Sequence, residues 1–177
     1  LAVSDLNESP ISIAVSSNSF NENVPENATV ATLSTTDEDV SDSHTYTLVS
    51  GSGDTDNGLF LISGNSLKIK TSPDYETKSS YRVRVRTTDS SGESYDKALI
   101  LAVSDLNESP ISIAVSSSSF NENVSENATV ATLSTTDEDV SDSHTYTLVS
   151  GSGDTDNGSF LVSGNSLKIK TSPDYET

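Results

Sequence analysis

The chain has 177 residues, a formal net charge of −18, and no Cys, Met or Trp. That much negative charge disfavours nucleic acid and anionic membranes as partners. The absence of cysteine excludes a disulfide framework, and no apolar run reaches the roughly 18 residues of a membrane-spanning helix.

Residues 101–177 repeat residues 1–77 with four changes: Asn18 against Ser118, Pro25 against Ser125, Leu59 against Ser159 and Ile62 against Val162. A period of 100 residues is too long for a solenoid repeat and fits whole domains in tandem. The expected organisation has four parts. Residues 1–10 are the end of a preceding repeat and its connector, and residues 11–104 are a complete repeat. Residues 105–110 are a second connector, and residues 111–177 are a copy lacking its last two strands. We expect the chain to be a piece of a longer array.

The elements of the complete repeat all read as strands. Ile11, Ile13 and Val15 alternate with Ser12 and Ala14, the period-two pattern of a half-buried strand. A polar stretch broken by Pro25 follows, then a strand over 30–36, where Val30 and Leu33 fall out of strict phase and imply a bulge. Residues 37–44 form an acidic loop, 45–49 a strand, and 51–58, with three glycines, a turn-rich loop. Strands over 59–62 and 66–70 are joined at Gly64-Asn65, with Leu67 and Ile69 inward and Lys68 and Lys70 outward. The clearest strand covers 80–87: Tyr81, Val83 and Val85 alternate with Arg82, Arg84 and Arg86, a basic stripe expected to pair with neighbouring acids. A turn at Ser90-Ser91-Gly92 leads to the last strand, 95–103. Seven short strands with no helical period predict an all-β, antiparallel sandwich.

The last strand runs into Asp105-Leu106-Asn107-Glu108-Ser109-Pro110, which also stands at residues 5–10. Proline fixes its own φ and keeps the serine before it extended, so the run is a short, stiff, acidic connector. Hard cations such as calcium take six to eight oxygen ligands from loops of this kind; a solvated acidic linker has the same composition. Further acids lie in loops outside the strands: Glu22, Asp37 with Asp39, Asp74 with Glu76, and Asp89. Each cluster alone reads as a solubilising surface. His44 has no second His or Cys beside it, which argues against a transition-metal site. No nucleophile–base constellation is present, and the carboxylate pairs lie at the poles of a sandwich too small for a glycosidase cleft.

Taken together, the spacings resemble the cadherin repeat, in the form found in tandem arrays of large bacterial surface adhesins. The matching motifs are Glu22-Asn23, Thr36-Asp37-Glu38-Asp39 fifteen residues later, Asp74-Tyr75-Glu76, Asp89-Ser90-Ser91-Gly92, and the connector. Asn27 stands where the family usually has Gly, and Asn tolerates the left-handed conformation. Glu108-Ser109 replaces the Asp-Asn of animal cadherins. The resemblance implies a Greek-key, immunoglobulin-like sandwich with several calcium ions at each junction between repeats. The implied ligands are Glu22, Asp74 and Glu76 from the first repeat, Asp105, Asn107 and Glu108 from the connector, and Asp137 and Asp139 from the second repeat. The same roles fall to Asp5, Asn7, Glu8, Asp37, Asp39 and Asp89 at the first connector, and to Glu122, Asp174 and Glu176 at the end of the second copy.

The implied function is a calcium-rigidified, extracellular extender or cell-adhesion module at the cell surface, not an enzyme. Its partners would be neighbouring repeats of the same chain and other adhesin copies or surface glycans, with no direct membrane insertion. A module that itself binds polysaccharide or a like repeat, as in homophilic adhesion or biofilm, is one alternative. A linker module of a secreted enzyme is another.

Overall fold

The computed structural model describes residues 1–2, 4 and 6–176. The chain divides into two compact units, Leu1–Leu106 and Asn107–Thr177.

Unit 1 is a sandwich of two four-stranded sheets. The strands are β1 (Ser12–Val15), β2 (Ser19–Asn21), β3 (Thr29–Thr36), β4 (Thr45–Leu48), β5 (Phe60–Ser63), β6 (Ser66–Ile69), β7 (Ser80–Thr88) and β8 (Ser94–Ser104), with one 3-10 turn at Asn57–Leu59. One sheet has the order β1-β3-β6-β5 and the other β2-β8-β7-β4. The chain crosses between sheets after β1, β2, β3, β4 and β6, crossings of the Greek-key kind, and makes hairpins only at β5–β6 and β7–β8.

Alternation builds the core. Leu67 and Ile69 of β6, Val83 and Val85 of β7, and Leu101 of β8 lose all contact with solvent, while the arginines between Tyr81, Val83 and Val85 face outward. Tyr81 sets its ring edge-on to Phe60, with centroids 5.4 Å apart, and so ties the two sheets at the centre. A hydroxyl chain ties them again: Thr35 Oγ1 lies 2.7 Å from Thr87 Oγ1 and 2.9 Å from the Tyr46 hydroxyl. On the outer face Asp96 accepts from Arg86 Nε at 2.6 Å and from Arg84 at 3.3 Å, across the β7–β8 register. The expected bulge is present: the β3–β6 register shifts between Thr29 and Ala31, which lets both Val30 and Ala31 turn inward.

The structure differs from the seven-strand, wholly antiparallel expectation in its opening stretch. Ile11 is 50% exposed and precedes β1, whereas Ile13 is 1% exposed. An eighth strand, β2, lies in sequence that carries a single apolar residue, Phe20. It pairs in parallel with β8, Ser19 against Ala102 to Asn21 against Ser104. β1 and β2 thus belong to different sheets.

Unit 2 has one sheet, with β9 (Ser112–Val115), β10 (Thr129–Thr136), β11 (Phe160–Ser163) and β12 (Ser166–Ile169) in the order β11-β12-β10-β9. Its registers repeat those of β1, β3, β6 and β5. The segment 78–104, which forms β7 and β8, occurs once in the 177 residues, in unit 1. In unit 2, residues 119–121 and 145–148 form no strand. In unit 1 their counterparts β2 and β4 pair only with β8 and β7. A strand without a partner leaves its backbone donors and acceptors to water and has nothing to hold its dihedrals. The sheet face is bare as a result: Ile113 is 66% exposed where Ile13 is 1%. At about 1.5–3 kcal/mol for each large apolar side chain, that exposure removes much of what holds a small sandwich together.

Candidate metal centre

Unit 1 gathers acids at two places. The first lies where β2 and β8 end. Glu22 follows β2 and is 2% exposed, a burial a carboxylate tolerates only with partners. Its Oε2 accepts the Tyr75 amide at 2.8 Å and its Oε1 the Leu106 amide at 2.6 Å. Asn23, next in sequence, takes φ +59° and donates its amide to Pro73 O, which bends the chain at that point. Glu22, Glu76 and Asp105 each place a carboxylate oxygen within 4.8 Å of the other two. Asp74 stays apart from this group. Its oxygens accept the Thr77 amide at 2.9 Å and the Thr77 hydroxyl at 2.8 Å, and these bonds hold the carboxyl below its ordinary value against a small opposing effect of burial.

The second gathering involves the first connector and the loops after β3 and β7. Asn7 Nδ2 donates to Asp89 Oδ2 at 3.0 Å, and the Glu8 amide to Asp39 Oδ2 at 2.7 Å. Asp89 Oδ1 accepts three successive amides, Ser91, Gly92 and Glu93, at 2.9, 2.7 and 2.9 Å. Gly92 at φ +98° makes that turn possible. The Asn7 bond, opposed by burial and reinforced by the three amides, lowers the Asp89 carboxyl from its ordinary value. Asp37 accepts the Asp39 amide at 3.2 Å on Oδ1 and His44 Nε2 at 2.8 Å on Oδ2. Asp37, Asp42 and Asp89 bring one oxygen each within 4.8 Å of the others. A cavity of about 340 Å³ opens there, lined by Thr35, Thr36, Asp37, Asp39, Val40, Asp42 and His44. Asp5 lies outside the described residues.

Unit 2 carries the same devices in part. The Glu108 amide donates to Asp139 Oδ2 at 2.7 Å, the Asp139 amide to Asp137 Oδ1 at 3.2 Å, and His144 Nε2 lies 2.8 Å from Asp137 Oδ2. The His144 bond leads the effects that lower the Asp137 carboxyl. Asn107 Nδ2 turns onto Glu108 O at 2.7 Å, as Asn7 does onto Glu8 O at 3.0 Å. Glu122, Asp174 and Glu176 converge within 4.8 Å, all exposed. The Tyr175 amide is 3.2 Å from Glu122 Oε2, a looser version of the Tyr75–Glu22 bond.

Two participants are absent from the sequence expectation. Asp42 joins Asp37 and Asp89, and His44 orients Asp37. The available signal was Asp42-Ser43-His44 closing the acidic loop, where a carboxylate and an imidazole return beside Asp37 before β4 begins.

Three carboxylates at this range repel one another by about 3–4 kcal/mol per pair at an effective dielectric near 20. The donors at each gathering are oxygens, apart from a histidine whose Nε2 is spent on Asp37. Such a set suits a hard, oxygen-seeking cation rather than a soft one.

The sequence profile of the cadherin domain matches residues 16–104. No curated protein sequence matches the chain. Among solved structures, human protocadherin-24 EC1-2 is similar with a TM-score of 0.69 at 19% identity, over 97% of this chain and 82% of that one. Protocadherin gamma B2 extracellular cadherin domains 1-5 gives a TM-score of 0.60 at 23% identity, over 98% of this chain and 34% of that one. The human desmocollin-1 ectodomain gives 0.59 at 17% identity, over 95% and 35%. The chain thus spans about a third of these two longer ectodomains. No helix among the described residues is long and apolar enough to cross a membrane. With the profile matched over half its length and the sandwich shared with cadherin ectodomains, the chain belongs to the cadherin family of extracellular adhesion modules.

Proposed function

We propose that this chain is a calcium-stiffened spacer of a large surface protein. Its repeats, residues 11–104 and 111–177, are joined by connectors that take several calcium ions and so project a distal adhesive domain. The observation that carries this reading is the convergence of Glu22, Glu76 and Asp105 in unit 1, which bring one carboxylate oxygen each within 4.8 Å of the others. The proposed ligands at the second connector are these three with Asp74, Asn107, Glu108, Asp137 and Asp139. At the first connector they are Asn7, Glu8, Asp37, Asp39 and Asp89, with Asp5, and Glu122, Asp174 and Glu176 take the corresponding role in unit 2. Bound calcium offsets the mutual repulsion of crowded carboxylates. The protein's part is to preset the oxygens: backbone amides fix Glu22 and Asp89 before any ion arrives. The Thr77 bonds orient the Asp74 carboxylate, whose remaining lone pairs stay available to an ion. Neighbouring repeats of the same chain are the first partners on this reading.

The test is calorimetric titration of the chain with calcium chloride, paired with thermal unfolding in calcium and in chelator. The expected affinity is in the extracellular-module range, about 10⁻⁴ to 10⁻³ M. Calcium at a hundred times Kd should add about 2.7 kcal/mol of stability per linked site. No binding heat together with superimposable melts overturns the proposal.

A further inference from the structure

Asp42 lies outside the ligand set that the cadherin motifs supply, yet the structure brings it to Asp37 and Asp89. The three side chains place one carboxylate oxygen each within 4.8 Å of the others. The hydrogen-bond accounts of the three differ. Asp37 has both oxygens engaged, by the Asp39 amide and by His44 Nε2. Asp89 also has both engaged, by three amides on Oδ1 and by Asn7 on Oδ2. Asp42 Oδ2 is buried and accepts no hydrogen bond among the described residues. A carboxylate oxygen removed from water and given no donor costs the full desolvation of the group, and two neighbouring carboxylates add to that cost. Solvent cannot make up the deficit, because the atom is out of its reach.

The surroundings do not explain Asp42 as a structural residue. Its own amide donates to Asp39 O at 2.9 Å, which closes the loop through the backbone and leaves the side chain unnecessary for that turn. The identical loop in unit 2 makes the same bond, Asp142 N to Asp139 O at 2.9 Å, with the Asp142 side chain exposed. Unit 2 contains no counterpart of Asp89. The loop therefore keeps its conformation whether or not the carboxylate is sequestered. Sequestration accompanies the presence of the third acid.

We infer that Asp42 is a direct ligand of the cation at the first connector, contributing Oδ2 alongside Asp37 and Asp89. This rests on the calcium reading above. The donor that Oδ2 lacks is the metal ion. A carboxylate here also raises the local negative charge by one, which favours a doubly charged cation over a monovalent one.

The test uses the full 177-residue chain with calcium chloride as the probe, read by NMR at the amides of Ser91, Gly92 and Glu93, which report Asp89 directly. Asp42→Ala is expected to raise the calcium midpoint at these amides at least about tenfold, the scale on which even outer partners of a metal act. Asp42→Asn, which keeps the shape and loses the charge, is expected to fall between Asp42→Ala and the parent chain. In chelator both variants are expected to melt no earlier than the parent, since each removes a charge crowded against Asp37 and Asp89. That result separates a ligand from a fold residue. Midpoints within twofold of the parent in a chain where Asp37→Asn does shift them overturn the inference and leave the calcium reading standing. A drop in the chelator melt of Asp42→Asn also overturns it, by making Asp42 structural. If the parent amides do not respond to calcium at all, the inference falls together with the reading beneath it.

Discussion

Glu22 Oε1 accepts the backbone amide of Leu106 at 2.6 Å, and this one bond fastens the start of the second connector to the end of β2. The other oxygen holds Tyr75. Glu22→Gln keeps the volume but turns an N–H group toward an amide that also donates. The expected cost in chelator is about 1–3 kcal/mol, the penalty for an unsatisfied buried group. Amide exchange at Leu106 and Tyr75 should accelerate more than at core positions such as Val83. Uniform acceleration would show that Glu22 supports the whole sandwich rather than the connector.

Asp56, buried in unit 1, accepts from Lys78 Nζ at 2.7 Å and from the Arg82 amide at 2.7 Å. Burial pushes its carboxyl up, but the Lys78 bond, the Arg82 amide and both positive charges outweigh burial and leave it below the ordinary 3.8. The folded value is lower than the unfolded one. The stability Asp56 contributes is therefore full above about pH 4 and is lost as pH falls through the folded value. Unfolding measured in chelator between pH 5 and pH 2 should show a steep acid limb that Asp56→Asn makes shallower. Parallel limbs in parent and variant would assign the acid sensitivity to Asp89 and Asp96, whose carboxyls are lowered in the same way.

Gly53 and Gly153 occupy the same place in the two units, at φ +88° and +90°. A Cβ on Gly53 would lie 2.7 Å from Ala98 Cβ on β8, while a Cβ on Gly153 would meet nothing within 4 Å. Both alanine variants carry the backbone strain of the left-handed region, about 1–2 kcal/mol. Only Gly53→Ala adds overpacking, about 1–3 kcal/mol more. Hydrogen exchange resolved by unit should show Gly53→Ala as the costlier change in unit 1 than Gly153→Ala in unit 2. Equal effects would remove the close approach of the 51–58 loop to β8.

The bare sheet of unit 2 has the sequence that β7 and β8 cover in unit 1. A peptide with the sequence of residues 78–104, added to the chain, should slow exchange over Thr129–Thr136 and Ser112–Val115. It should also order residues 119–121 and 145–148 by giving them strands to pair with, as β2 and β4 have in unit 1. Without the peptide, strong protection should be confined to unit 1. Equal protection in both units of a monomer would show that one sheet suffices.

Much of this fold could be read from alternation. β7 was plain because Tyr81, Val83 and Val85 leave the core face only at arginines, and the β3 bulge because Val30 and Leu33 break phase. β2 was not legible: three residues with one apolar side chain carry no period, and their strand state comes entirely from lying beside Ala102 to Ser104. Ile11 misled because it continues the alternation of Ile13 and Val15 past the point where the sheet ends. Among the acids, the motif that singles out Glu22 leads to a residue that meets Glu76 and Asp105, whereas no motif singles out Asp42. Its position depends on a loop closing back beside Asp37 and on Asp89 from distant sequence, and local pattern does not report such an encounter.

The parallel pairing of β2 with β8 has a mechanical consequence. These strands flank the two ends of unit 1, one near the entering chain and one leading into the connector. Tension along the polypeptide draws β2 backward and β8 forward, so the two slide past each other instead of peeling apart. The bonds from Ala102 N to Asn18 O and from Glu22 N to Ser104 O are stretched together, not one after another. Separating β2 from β8 then requires their concerted failure, unlike the bond-by-bond peeling of a hairpin opened from its end.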